Sequence, residues 1–211
     1  MADWATISAL ATAGGTLVLA GATFASVRSA NRAARAAETS LLAGLRPLLI
    51  PSRLEDPPQK IFFADGKWLH LAGGCGATEA TEEAVYLAIA LRNVGSGIAV
   101  LHGWHMHPHL LVGRSDHPAP EEFTRLSRDI YVPPGDDGFW QGSFRDPSSE
   151  EFQTARRTIA ARESFSVDVL YGDFEGGQRV ITRFALVPRE DGNEWLASAG
   201  RHWNVDRGDP R

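Results

Sequence analysis

The sequence predicts a mainly β, antiparallel domain set behind an N-terminal apolar helix. Two observations carry that prediction. No charged residue occurs from Trp4 to Val27, a stretch longer than the roughly 20 residues a helix needs to cross a bilayer. Beyond Pro47, short runs of apolar and β-branched residues recur between Gly, Pro, Asp and Asn clusters, the pattern of short strands joined by turns.

The opening segment reads as an anchor over residues 1–28. It is rich in Ala, Gly, Ser and Thr as well as Leu, Val, Ile and Phe, so its hydrophobicity is moderate. A buried or partner-packed soluble helix is the competing reading. A cleaved signal peptide needs a basic start, whereas Asp3 is the only charged side chain ahead of the run, so a retained anchor is expected. Arg28, Arg32 and Arg35 follow directly, and positive residues beside a span stay on the cytoplasmic side. The expectation is a single-pass protein of the cell membrane whose C-terminal domain is cytoplasmic. Small residues four apart, such as Ala5, Ala9 and Ala13, are the spacing that lets membrane helices pair, so a homodimer through this helix is a further expectation. Residues 29–45 continue as a helical stalk until Pro47 stops the helix.

The domain is expected over 46–204. Leu48–Leu54 reads as a first strand, placed at an edge by Pro51. Residues 60–63 and 68–71 flank Asp65-Gly66, a pair favoured in two-residue hairpin turns. The Gly- and Glu-containing stretch 73–83 reads as a flexible loop. Val85–Asn93 is the strongest core strand, and 98–107 is expected to return beside it after the turn 94–97. Residues 130–132 and 138–144 read as strands around Pro133–Asp136. A short helix near 148–162 is expected from a capping box of Ser148 and Glu151, with Phe152, Ala155 and Ile159 at helical spacing. Residues 165–171 and 178–187 alternate as a second hairpin. Glu194–Trp203 is expected to add a final strand or dock, and 205–211 to be a disordered tail. Seven or eight such strands with little helix indicate an antiparallel sandwich.

Bulk chemistry narrows the function classes. With 26 acidic against 21 basic residues the net charge is −5, which offers no field for nucleic acid. One cysteine, Cys75, rules out an internal disulfide framework and a Cys-rich zinc site. No P-loop, dinucleotide fingerprint, HExxH or defensible Ser-His-Asp arrangement is present.

The run Leu91–Ala99, the Pro134-Gly135 turn, Tyr171–Asp173, the glycines 176 and 177, and Phe184 together resemble a pattern in uncharacterised bacterial single-pass membrane proteins. In those, a membrane helix and an Arg-bearing stalk precede an immunoglobulin-like β-sandwich. The resemblance spans roughly residues 4 to 187 and implies a fold and a topology. It brings no catalytic residues. The His-rich strand end and the helix after Ser148 depart from it.

Candidate chemistry is sparse. In His102-Gly-Trp-His105-Met-His107-Pro-His109, a strand projects His105 and His107 from one face, with His109 joining if Pro108 leaves the pleat intact. Paired imidazoles of this kind suit a divalent transition metal, and Asp116 and His117 are potential further ligands. The competing reading is a solvated loop at one end of the domain. Cys75 lacks the strand and helix of a nucleophile elbow, and Ser96 reads as a turn residue. Asp168, Asp173 and Glu175 read as turn and strand carboxylates before they read as an acid–base pair. Two functional expectations follow. One is a membrane-tethered, non-enzymatic interaction or sensor domain with a protein partner; the other is a metal-binding or metal-dependent enzyme domain centred on His105, His107 and His109.

Overall fold

The computed structural model describes residues 3–190 and 194–206, and the chain separates into two compact units that meet at Ala43 and Gly44. The first unit is one helix, α1 (Trp4–Gly44). Ala-rich composition favours it throughout, and no proline occurs before Pro47. The expected anchor and stalk share this uninterrupted helix, about 60 Å long at 1.5 Å per residue; the change at Arg28 is one of chemistry and leaves the backbone unaltered. From Ile7 to Leu41 every residue is exposed, and Leu17, Val18 and Leu19 each exceed 70 %. Three threonines of the uncharged run do not oppose an apolar surrounding, because their hydroxyls are satisfied within the helix. Thr12, Thr16 and Thr23 donate to the carbonyls of Ser8, Thr12 and Leu19 at 2.8–2.9 Å. The helix is long and apolar enough to cross a membrane. Of the small-residue row, Ala9 and Ala13 are exposed, and the side chain of Ala5 lies outside the described residues.

The second unit is mainly β. Its strands are β1 (Leu49–Pro51), β2 (Gln59–Phe62), β3 (Trp68–Leu71), β4 (Cys75–Ala80), β5 (Val85–Asn93), β6 (Ala99–His107), β7 (Thr124–Val132), β8 (Asp137–Phe144), β9 (Phe165–Asp173), β10 (Arg179–Pro188) and β11 (Glu194–Asn204). A single 3₁₀ turn, Pro120–Glu122, precedes β7, and a helix α2 (Glu150–Ala160) precedes β9. All pairings are antiparallel, as expected. The sheet order is β1-β5-β4-β11-β10-β9-β6-β7, with β8 also on β5, and β2–β3 form a separate hairpin. One curled sheet of nine strands therefore stands where two stacked sheets are expected. The reason is β5, which pairs β1 and β4 in addition to β8 and so joins what would otherwise be two layers.

The main core fills the inside of the curl. Leu87, Ile89 and Leu91 of β5 meet Val167, Val169 and Tyr171 of β9, and α2 adds Phe152 and Ala155. On the other face of β5, Tyr86, Ala88 and Ala90 pack under Ile61, Phe63, Leu69 and Leu71 of the β2–β3 hairpin. Strand β5 is thus buried on both faces, which explains its unbroken apolar sequence.

Several local expectations are corrected. Segment 75–80 is a strand paired on both edges. Its small and polar residues conceal it, and Gly76 sits where an added Cβ would press on Leu186 Cδ2 at 2.4 Å and force that side chain to shift. The Asp65-Gly66 turn closes through Phe63 and Lys67, with Gly66 N–H donating to Phe63 O at 3.0 Å and φ of 87°, so the loop has three residues instead of two. Ser149 caps α2, accepting from Phe152 N–H at 3.2 Å, because Ser148 is engaged with Asp146. β7 is nine residues long, far longer than the segment 130–132. Val205 packs on a small outer cluster with Trp203, and Asp206 pairs with Arg179; the remainder of the expected tail, 207–211, lies outside the described residues.

The largest correction concerns β6, which pairs β7 and β9 and does not return beside β5. Asn93 explains the departure. Fully buried, its side-chain oxygen accepts from Leu48 N–H at 3.1 Å and Gly95 N–H at 3.0 Å. Its amide donates to the carbonyls of Gly97 at 2.7 Å and Val132 at 2.9 Å. All four bonds hold the 94–97 link as a crossover from one side of the curl to the other. Gly97 has no room for a Cβ, which would lie 1.7 Å from Leu45 O.

Candidate functional site

The outer face of β6, β9 and β10 carries a buried network of ionisable side chains. The registers set His105 opposite Asp168, and Asp168 opposite Arg183. Arg183 grips the carboxylate with two donors, Nε to Oδ1 at 2.7 Å and Nη2 to Oδ2 at 2.6 Å. His107 Nε2 lies 2.9 Å from Asp168 Oδ2. Burial on its own raises the Asp168 carboxyl, yet the Arg183 guanidinium and His107 hold it below the usual carboxylate value. Asp168 is 0 % and Arg183 is 3 % exposed, so the pair is a desolvated, forked ion pair of the strong kind.

Segment 108–119 covers this network. Leu111 N–H donates to Ser166 Oγ at 3.0 Å, Arg183 Nη2 to Asp116 O at 3.1 Å, and Trp203 Nε1 to Ser115 O at 3.0 Å. The Arg183 guanidinium also lies over the Trp203 ring, 4.9 Å from its centroid.

The structure brings two of the three predicted histidines together, with the His105 and His107 rings 4.7 Å apart. His109 is exposed beyond Pro108. His105 Nδ1 is 3.4 Å from Glu122 O, and His117 turns to Pro118 O at 2.8 Å and to the Trp203 ring. The Asp116 carboxylate pairs with Arg114. Among the described residues no group of three or more His, Cys, Asp or Glu is arranged to hold a metal ion. Cys75 is buried, and desolvation pushes its thiol up. Asp173 accepts from Gly177 N–H at 2.7 Å, which ties it to the β9–β10 turn.

A cleft of about 310 Å³ adjoins the His105 side of this face. Trp104 and Met106 of β6 and Phe144 of β8 supply its apolar surface, with the Trp104 and Phe144 rings edge to face at 4.9 Å. Glu122, Glu150 and Glu151 supply its rim. Sequence reading missed this cleft because its residues come from four separated segments. The paired glutamates at the start of α2 are the only local signal, and they read first as ordinary partners of a helix N-terminus.

Comparison of the chain with protein-family models, with curated proteins and with solved structures gave no match in any of the three.

Proposed function

We propose that the chain is a membrane-anchored, non-enzymatic interaction or sensor unit, with α1 spanning the cell membrane once and the β-domain binding a protein partner in the cytoplasm. The observation that carries this reading is the exposure of every residue from Ile7 to Leu41 in a helix uncharged up to Val27. Apolar surface of that extent requires an apolar surrounding, and the back-bonded threonines remove the main polar objection to a bilayer. Arg28, Arg32 and Arg35 support the cytoplasmic placement of the domain. Pairing of two copies through the small residues of α1 belongs to the same proposal, as does kinship with bacterial single-pass proteins that carry an immunoglobulin-like sandwich. That kinship is supported by the shared sequence of apolar helix, Arg-bearing helix and antiparallel β-domain.

The test is extraction of membranes from cells expressing the full chain. Alkaline carbonate should leave it in the pellet and detergent should release it, with the domain protected from protease added outside intact cells. Release by carbonate removes the anchor, and cleavage of the domain in intact cells reverses the sidedness.

A divalent transition-metal site is a second reading, favoured by the 4.7 Å approach of the His105 and His107 rings. Elemental analysis of the purified chain tests it: a stoichiometric metal lost on His105→Ala and His107→Ala establishes the site, and metal-free protein dismisses it.

A further inference from the structure

The cleft between β6, β8 and α2 has chemistry that the rest of the fold does not use. Its accessible apolar surface is aromatic and thioether, from the half-buried Phe144 and Met106, with the buried Trp104 behind them. Its rim carries three carboxylates from two separate segments, Glu122 and the pair Glu150 and Glu151, and no Lys or Arg lines it. None of the three takes part in an ion pair among the described residues. The start of α2 accounts for the presence of Glu150 and Glu151, and Ala119 N–H, donating to Glu122 Oε1 at 2.9 Å, occupies one oxygen of Glu122. The positive end of α2 offsets part of the charge of Glu150 and Glu151, and no Lys or Arg on the rim offsets the rest.

We infer that this cleft receives the guanidinium of an arginine from an extended segment of the protein partner. The inference rests on the proposed interaction role and names the chemistry of its partner. Charge complementarity selects a cation. A bare metal ion fits poorly, because the carboxylates do not converge as a metal-holding group. A long organic cation spans them instead, and about 310 Å³ is room for one such side chain. Arginine is preferred to lysine because its flat, weakly hydrated guanidinium suits the half-buried Phe144 ring and its five N–H donors suit more than one carboxylate of the rim.

The test uses the full chain in detergent micelles and four probe peptides, acetyl-Gly-Ala-X-Ala-Gly-amide, with X as Arg, Lys, Gln or Glu, followed by isothermal titration calorimetry. The Arg peptide should bind about tenfold or more tightly than the Gln peptide, as expected for a charge-assisted contact on an aromatic surface, and the Glu peptide should not bind. The combined variant E122Q/E150Q/E151Q should lose that preference, since glutamine keeps the Ala119 contact while removing the charge. Thr154→Trp, which fills the cleft with no change in charge, should abolish binding of the Arg peptide. Raising salt from about 0.05 M to about 0.5 M should weaken it. Equal affinity for the Arg and Gln peptides, or no binding of the Arg peptide, overturns the inference.

Crosslinking in native membranes separates this outcome from failure of the broader reading. A partner captured equally by wild type and E122Q/E150Q/E151Q preserves the interaction role and sinks the cleft. Arg-peptide binding with no captured partner preserves the cleft's preference for a guanidinium, and it sinks the interaction role and with it the partner assignment.

Discussion

Helix α1 and strand β5 both carry long apolar runs, and they meet opposite fates. Every described side chain of α1 between Ile7 and Leu41 is exposed, whereas Val85 to Leu91 of β5 is buried throughout, inside the curl on one face and under the β2–β3 hairpin on the other. The fold consumes the apolar surface of β5 and leaves that of α1 unspent. Hydrophobicity in a sequence therefore reports a need for an apolar neighbour without saying which one, and only burial distinguishes the self-satisfied segment from the one whose apolar surface the fold leaves uncovered.

That contrast can be broken or sharpened by substitution. The largest effect is expected at the buried charge that permits a polar group beside the domain's apolar clusters. Asp168→Ala strands Arg183 in a desolvated place and should cost about 3–5 kcal/mol of domain stability in chemical denaturation. Because the Asp168 carboxyl is held below its ordinary value, its contribution is present above about pH 4 and is lost as pH falls through its folded-state value. An acid titration of wild type should show that loss, and Asp168→Asn should flatten it. Next comes Leu87→Ala, which opens a cavity in the core and should cost about 2–5 kcal/mol. Leu19→Ala in α1 should leave the domain's unfolding midpoint in place, and a shared loss would erase the contrast between the two segments. Val18→Arg in α1 should spare the domain but oppose insertion by roughly 2.5–3.5 kcal/mol at the centre of the span, read as a shift from membrane to soluble fractions. A smaller loss of domain stability than at Asp168 or Leu87 is expected at Tyr171, whose hydroxyl accepts from Leu49 N–H at 3.1 Å and bonds Thr182 at 2.8 Å. Tyr171→Phe leaves that amide without its buried acceptor and should cost about 1–3 kcal/mol. The same hydroxyl is pushed up to about 12 by burial, so a spectroscopic titration should find it still protonated at about pH 10, where an ordinary tyrosine is half ionised.

What could be read in advance follows from how local each signal is. Strand β5 announces itself because both faces demand apolar residues, and the second hairpin, β9–β10, because alternation and its Gly-rich turn agree. Strand β4 is invisible, since Cys75-Gly-Ala-Thr-Glu-Ala80 has weak strand propensity and is held by partners on both edges. The destination of β6 is hidden as well. Asn93 and Gly97 look like any tight turn, and the contacts that convert the turn into a crossover involve Leu45, Leu48 and Val132, none of them adjacent in sequence. At the candidate site, the facing of His105 and His107 follows from strand periodicity alone. Arg183 carries no local signal and Asp168 reads as a turn or strand carboxylate, because their pairing depends on the β9–β10 register. The glutamate-rimmed cleft is assembled from four segments and has no contiguous signature.

The Asn93 knot has a mechanical corollary. A pull transmitted along the backbone from Gly44 reaches the domain first at Leu45–Leu48, where Arg46 O accepts from Ser96 N–H at 3.0 Å and Leu48 O from Val94 N–H at 2.8 Å. Immediately behind them, β1 is joined to β5 through only three registered positions, Leu49 with Asn93, Ile50 with Arg92 and Pro51 with Leu91. Leu49 of that short strand is itself fully buried in the main core and donates its N–H to the Tyr171 hydroxyl. A pull arriving through α1 would therefore be felt in the core at once, through a strand of only three residues.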